Sequence, residues 1–552
     1  MSDLDSEINT IINQELKNYV KEKKPKIKKK IDKPKKTKDK PIDLPKTIDL
    51  PKPIDLPKPV KDTKKIHDYV IVGGGPTGLS LAWYLGKIGK KVLIIEKETT
   101  LGGCHRVQRV NGLFSEHGPR VYSNSYLNFI EILDEMGIKF EDIFTSYNFD
   151  ISNIGKKTIL DLKFYEMFSF IITFIQLSLN PDFGKNITMR SHMKRFLFTD
   201  ESIDYVDRLC RLTDGATVDN YTLFQFLQLI NQQFSYGLHQ PKLPNDKGLF
   251  KIWEEKLLNY KNIDIVLNQE VLKINNLGNK ISSLTVMDRN TKNNYDIIGT
   301  NFILAIPPRP IVNLLNNSPI VDVKNAFGKL EDMFRWTKNN SYYDYLPITL
   351  HFKNKIDLPK MWGFPSSDWG IAFIFLSDYM KFTDPLELEN SKVVISACIT
   401  YPERKSKRLN KTAHECEINE IYDELIFQLR EIFPTLPVPE KMILSPQVYK
   451  DTKINKWVNY DTAYVLTNEN SHIPYESQIF SNLYNCGTHN GNSNYYFTSM
   501  ESAVSNAKML VNKLEPINFK MKLTNTRNIT NYLYFLILIF ISYIFVRNFG
   551  KY

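Results

Sequence analysis

The stretch DYVIVGGGPTGLSLAWYLGKIGKKVLIIE, residues 68–96, limits what this chain can fold into more than any other. Residues 69–72 form a short apolar run rich in β-branched side chains, read as a buried strand, and they lead straight into Gly73-x-Gly75-x-x-Gly78. An apolar-periodic helix over 79–85 and a second strand over 91–95 come next, ending in Glu96, 18 residues past Gly78. Each glycine has a physical role in such a turn: Gly73 permits the tight bend, Gly75 lets backbone approach a pyrophosphate, and Gly78 lets the helix pack on the strand. Pro76 and Thr77 fill the turn at the helix start, where free N–H groups and the positive end of the dipole favour phosphate. Glu96 stands where a carboxylate can accept hydrogen bonds from an adenosine ribose. Strand, glycine turn, helix, strand and acid in this order predict a dinucleotide site.

Bulk properties narrow the partners. The net charge is +11, but residues 1–66 carry 19 Lys against 11 Asp plus Glu, so most of the basicity belongs to a tail. No folded segment interleaves basic and aromatic residues as a nucleic-acid groove does, and no nucleic-acid partner is expected. The five cysteines are scattered, without a Cys-x-x-Cys pair, which suits a reducing compartment and leaves no metal site. Residues 21–65 are rich in Lys and Pro, and IDLPK recurs at Ile42, Ile48 and Ile54. Proline at that spacing blocks helix and sheet, so the tail is expected to be disordered: a solvated linker, or a contact for a protein or for anionic lipid.

At the other end, residues 532–546 are almost uninterruptedly apolar, with basic residues on both sides. A helix of 15 to 18 residues reaches roughly 22–27 Å, enough for a thin bilayer. The expectation is a single-pass C-terminal membrane anchor, inserted after synthesis, with the catalytic body cytosolic. A second apolar stretch, 164–179, contains Glu166 and is expected to be a buried or cleft-lining helix, or one dipping into a membrane interface.

The residues just past Glu96 select the dinucleotide. TTLGGCHR carries a second glycine pair, Gly102 and Gly103, and this spacing resembles the signature of the flavin amine oxidase superfamily. The resemblance implies non-covalent FAD, with the pair beside the ribityl phosphate. Thr100 and Cys104 stand where that family commonly has arginines, so Arg106 is the candidate for a phosphate contact. Further blocks match. GLFKIWEEKLLNYKNIDIVLNQEVLKI resembles the helix and strand whose valine, here Val271, covers the adenine. NYDIIGTNFILAIPPRPIVNLL resembles the strand closing on a Pro-rich turn, and NLYNCGTHNGNSNYYFTSMESAVSNAKMLVNKL resembles the terminal flavin motif. Gly487, Thr488, Ser499 and Met500 of that motif are candidate cofactor contacts, and Tyr495 and Tyr496 either line the substrate pocket or pack beside it. Thr498 and Glu501 read as a capping box at the start of the last helix, whose positive end would face the flavin.

The resemblance implies an α/β fold, an FAD-binding Rossmann-like domain with an interleaved mixed-sheet substrate domain. The expected order is a tail over 1–66, FAD-binding parts at 67–145, 246–310 and 471–515, substrate-domain parts at 146–245 and 311–470, a linker at 516–530 and the anchor at 531–548. It also implies an oxidoreductase acting on an amine or an apolar small molecule. The lysine that amine oxidases commonly carry near the flavin is replaced by Pro347. EHGPRVYSNS also resembles UDP-galactopyranose mutase, a flavin isomerase, and a non-catalytic membrane-bound scaffold of the same fold is the third reading. No catalytic residue is singled out, and the substrate pocket is expected to be built by the weakly matched segments 140–250 and 310–460.

Overall fold

The computed structural model describes residues 66–552 except 119, 148–149, 153–161, 215, 340–344, 357–360, 364–366, 460–472, 492, 494, 496–497, 525–530, 532–533, 535 and 539–552. The chain divides into two units, Met1–Leu56 and Pro57–Tyr552, and all of the described structure belongs to the second. The basic tail and its IDLPK repeats lie outside the described residues.

A parallel sheet carries the glycine turn. His67–Val72 lies between Val92–Ile95 and the end of Asn294–Leu304, with Ile263–Val266 outside the former and Leu483–Asn485 outside the latter. Its strands are apolar on both faces because both are covered. Tyr69, Ile71 and Ile94 point into a core shared with the helices Pro76–Lys87, Leu249–Leu258 and Met500–Leu514. Val70, Val72, Leu93 and Ile95 point into the opposite core, against Ile311, Val312 and Leu315.

Asn294–Leu304 does two jobs, and its sequence shows where it changes. Residues 294–301 alternate between exposed and half-buried, and 294–298 pair antiparallel with Lys280–Asp288, which in turn pairs with Gln269–Leu277. From Phe302 onward every side chain is buried, and the strand lies between two parallel neighbours. A six-stranded mixed sheet stands apart, in the order Lys441–Leu444, Leu346–Phe352, Val393–Ile399, Ile371–Phe375, Met361–Gly363, Asp150–Ser152. Its pairs are antiparallel except the last, which is parallel.

One expectation fails. Among the described residues no helix is long and apolar enough to cross a membrane. This overturns the single-pass C-terminal anchor and the location built on it. Of the apolar run 532–546 only residues 534 and 536–538 are described, all helical; the rest lies outside the described residues. The other apolar stretch does form a helix, Phe164–Leu179, but its 16 residues fall short of the roughly 20 a span needs. It is buried along one side: Phe170, Phe174 and Leu177 enter a core while Phe164, Phe168 and Leu179 face outward.

Candidate active site

Backbone hydrogen bonds within residues 73–106 assemble one end of the site. Gly73 donates its N–H to Ile95 O at 2.8 Å, and Gly102 donates to Gly74 O at 2.9 Å, so the second glycine pair is tied onto the first turn. Three glycines are sterically required, Gly73 among them, where φ is +109° and a Cβ would sit 2.5 Å from Ala305 O. A Cβ on Gly78 would sit 1.9 Å from Gly73 O, and one on Gly103, where φ is +55°, would sit 3.0 Å from Gly75 Cα. Gly75 differs, because a Cβ there meets nothing nearer than Gly103 Cα at 3.6 Å. A Cβ there would make only ordinary contact with the second glycine pair, and Gly75 borders a cavity in which a ligand could lie.

Glu96 is buried and accepts from Gly74 N–H at 2.7 Å and from Glu98 N–H at 2.9 Å, one bond to each carboxylate oxygen. Burial pushes its carboxyl above the usual range, while these N–H groups and the nearby Arg106 pull against it. Arg106 is buried too, and its Nη1 lies 3.4 Å from Gly103 O, over the second glycine pair.

These residues line one cavity of about 720 Å³, within the range of small-molecule sites. The structure brings together in it Gly73, Gly75, Pro76, Thr77, Glu96, Gly103, Arg106, Val271, Gly487, Thr488, Ser499 and Met500. Gly78 and Gly102 stand just outside, the first packed on the strand and the second against Phe250. Tyr495 is buried away from the cavity, its hydroxyl on Ser125 Oγ at 2.7 Å, and Tyr126 beside it lines the wall instead. Tyr496 lies outside the described residues.

The last helix begins at the cavity, but not through the expected capping box. Ser499 is the N-cap and accepts from Ser502 N–H at 3.1 Å. Glu501 turns away to accept the N–H groups of Asn128 and Phe129, each at 3.0 Å, at the start of helix Leu127–Glu135. Those are themselves unsatisfied helix-terminal donors, and a buried carboxylate there closes one helix onto another.

The other end of the cavity is walled by Gly118, Arg120 and Val121, from the motif EHGPRVYSNS, and by Tyr345, Ala372, Cys398 and Thr400, none of which is among the candidate site residues read from the sequence. The signal available was HGPR, in which Gly118 has φ +82° and a Cβ would meet Cys398 Sγ at 3.4 Å. Arg120 bonds through Nη2 to Cys104 O and to His117 O. Behind this wall, burial pushes Glu116 up to about 8 against the pull of Arg120, and burial pushes His117 down to about 3 with Arg120 and Arg106 adding to it. Both side chains are uncharged at neutral pH. Pro347 pairs with Cys398, so it lies on the same face of the mixed sheet as a cavity-lining residue. Its carbonyl accepts from Ser445 N–H at 2.9 Å, just past the end of Lys441–Leu444. A strand residue's N and O point to the same side, so the missing proline N–H falls where the neighbouring strand has stopped.

Residues 71–136, which hold both glycine motifs, match the family of NAD(P)-binding Rossmann-like domains. The fold is similar to an oxidoreductase from Methanosarcina mazei (TM-score 0.55, 16% identity, 80% of this chain and 99% of that one). Wild-type putrescine oxidase bound to putrescine is equally similar (TM-score 0.56, 13% identity, 82% and 99%), as is cyclohexylamine oxidase from Brevibacterium oxydans IH-35A (TM-score 0.53, 13% identity, 82% and 100%). The chain has the flavin amine oxidase fold. In sequence it is 24% identical over 195 residues to "Probable flavin-containing monoamine oxidase A" of Dictyostelium discoideum, a match spanning 31% of this chain and 42% of that protein. A further match, 40% identical over 75 residues, is to thiamine thiazole synthase of Methanococcus aeolicus and spans 26% of it.

Proposed function

We propose that this chain is an FAD-dependent oxidoreductase of the flavin amine oxidase type, oxidising an amine or an apolar small molecule by hydride transfer to non-covalent FAD. One observation carries the reading: a single cavity is bordered by the glycine turn, Glu96, the second glycine pair, Val271 and the start of the last helix. Gly75 on the cavity wall is the fit expected for a pyrophosphate, since backbone can approach it with no side chain between. Gly75, Gly103 and Arg106 would hold the phosphates, Glu96 the ribose, Val271 the adenine, and Ser499 and Met500 the flavin ring. The positive end of helix Met500–Leu514 favours negative charge on whatever lies at its start. When bound, FAD supplies the two-electron acceptor.

The chain's own residues supply orientation and exclusion of water. Tyr345, Ala372 and Val121 shape the wall where a substrate would lie, and Arg120 fixes that wall by bonding two carbonyls across it. Burial raises the thiols of Cys398 and Cys486, both on the cavity, so neither is a ready thiolate for a covalent flavin link. The test is purification followed by acid precipitation. A visible flavin spectrum whose chromophore stays wholly in the supernatant supports the reading. A colourless protein overturns it, and flavin retained in the pellet overturns non-covalent attachment.

A further inference from the structure

Helix Phe164–Leu179 presents apolar side chains on both of its sides. Glu166, Ser169, Phe170, Thr173, Phe174 and Leu177 are buried. Outward, Phe164 is 55% exposed, Phe168 46%, Ile171 39% and Leu179 78%. Their spacing makes one stripe along the helix, where a surface helix of a globular protein carries polar residues. Contiguous exposed apolar surface marks an interaction site.

The stripe is extended from another part of the chain. The hydroxyl of Tyr165 donates to Leu197 O at 3.1 Å, which sets Leu197, 79% exposed, beside the aromatic end. Leu197 has φ +54°, a conformation that L residues rarely adopt. A leucine held in a disfavoured conformation with its side chain in solvent gains nothing for the fold. Lys163, Lys194 and Arg195 are exposed around this end, Lys163 reaching over the Tyr165 ring. Lys185 and Arg190 nearby are paired with Asp182 and Asp219, and the next exposed acids are Asp200 and Glu201, at the start of the following helix.

We propose that this face rests in the headgroup layer of an anionic lipid membrane, with Phe164–Leu179 lying parallel to the surface and Leu197 inserted beside it. An apolar centre with a basic rim is the chemistry of helices that lie on membranes rather than cross them. The lysine excess of residues 1–66 is a separate attraction to the same lipids.

Flotation of the full chain with phosphatidylcholine vesicles, with and without a minor fraction of phosphatidylserine, tests the proposal. Binding is expected with phosphatidylserine and is expected to fall at least about tenfold in the double variant Phe168→Glu, Ile171→Glu, both positions being exposed. Leu197→Gly should weaken binding while leaving thermal stability unchanged or raised, since glycine relieves the positive φ. A purely structural role for Leu197 would lower stability instead. Deleting residues 1–65 should reduce binding without abolishing it. Three results overturn the proposal: no vesicle binding by the full chain, binding untouched by the double variant yet lost on removal of residues 531–552, or a vesicle-free dimer that the double variant dissolves.

Discussion

At one end of the cavity the two glycine turns and Glu96 are joined by hydrogen bonds made within the single stretch 73–106; at the other, Gly118, Arg120, Tyr345 and Cys398 meet from segments far apart in the chain. The difference teaches where information sits. The nucleotide end is specified by residue type at fixed spacing, because Gly78 must lack a Cβ and Glu96 must reach the N–H of Gly74. The far end is specified by which strands happen to pair. Two experiments on neighbouring glycines probe the first kind of specification. Gly78→Val should prevent stable folding, costing on the order of 3 kcal/mol or more, because the new carbon would overlap Gly73 O. Gly75→Val should fold normally and purify without flavin, because its first added carbon makes only ordinary contact with the second glycine pair, at the edge of the cavity. Circular dichroism melts and flavin content read together separate the two; equal behaviour of both variants would dissolve the distinction.

The next largest effect belongs to the far end and is one of pH. Glu116 shifts from its ordinary 4.5 to about 8 on folding, so the folded chain holds a proton that the unfolded chain gives up. Its contribution to stability is complete below pH 4.5 and is lost as pH rises through about 8. His117 runs the other way: lowered from 6.5 to about 3, it contributes fully above pH 6.5 and loses that contribution as pH falls toward 3. Adjacent in sequence, the two oppose each other across the acid range. Glu116→Gln should remove the loss above pH 4.5 and make the variant more stable than the parent at pH 8, by on the order of a few kcal/mol. Denaturant midpoints across pH measure it, and parallel curves for parent and variant would show that Glu116 ionises normally.

A smaller effect joins the two ends. Glu501 holds helix Met500–Leu514 against helix Leu127–Glu135 through two backbone N–H groups. Glu501→Ala leaves those donors buried and unmade, a loss of about 1–3 kcal/mol, and it should loosen flavin as well because the last helix begins at the cavity. Stability lost with flavin affinity unchanged would mean that the helix start is held by Ser499 alone.

Much of the first end was legible in the sequence because its requirements are local. The glycines, Glu96, Val271 and the helix start at residues 499–500 all border the cavity or pack directly behind it. The rest shares a cause. Tyr495 reads as either lining the pocket or packing beside it, and its buried bond to Ser125 decides for packing; Glu501 reads as its own helix's cap but is drawn to another helix's free donors. The apolar run 164–179 reads as a helix that is buried, cleft-lining or at a membrane interface, and only what packs against it decides: among the described residues a core covers Phe170, Phe174 and Leu177, while Phe164, Phe168 and Leu179 stay exposed. No spacing rule contains such partnerships, which exist only after distant segments meet.

Pro347 tests how strictly that second kind of specification holds. Proline within a sheet ordinarily removes a ladder bond, and here it also takes the place of a lysine that the family resemblance would put near the flavin. The register removes most of the expected penalty, because the side of Pro347 that would donate faces the point where Lys441–Leu444 has ended and Ser445 has taken over, giving its own N–H to the Pro347 carbonyl. Restoring an N–H with Pro347→Ala therefore adds no sheet bond, while it returns conformational freedom to the unfolded chain. The net change should be a destabilisation of less than about 1 kcal/mol, with flavin content unaltered. Thermal melts of the flavin-loaded protein can resolve this. A stabilised variant would mean that the alanine N–H finds an acceptor across the strand end and that the far wall is held by backbone bonds after all, as the nucleotide end is.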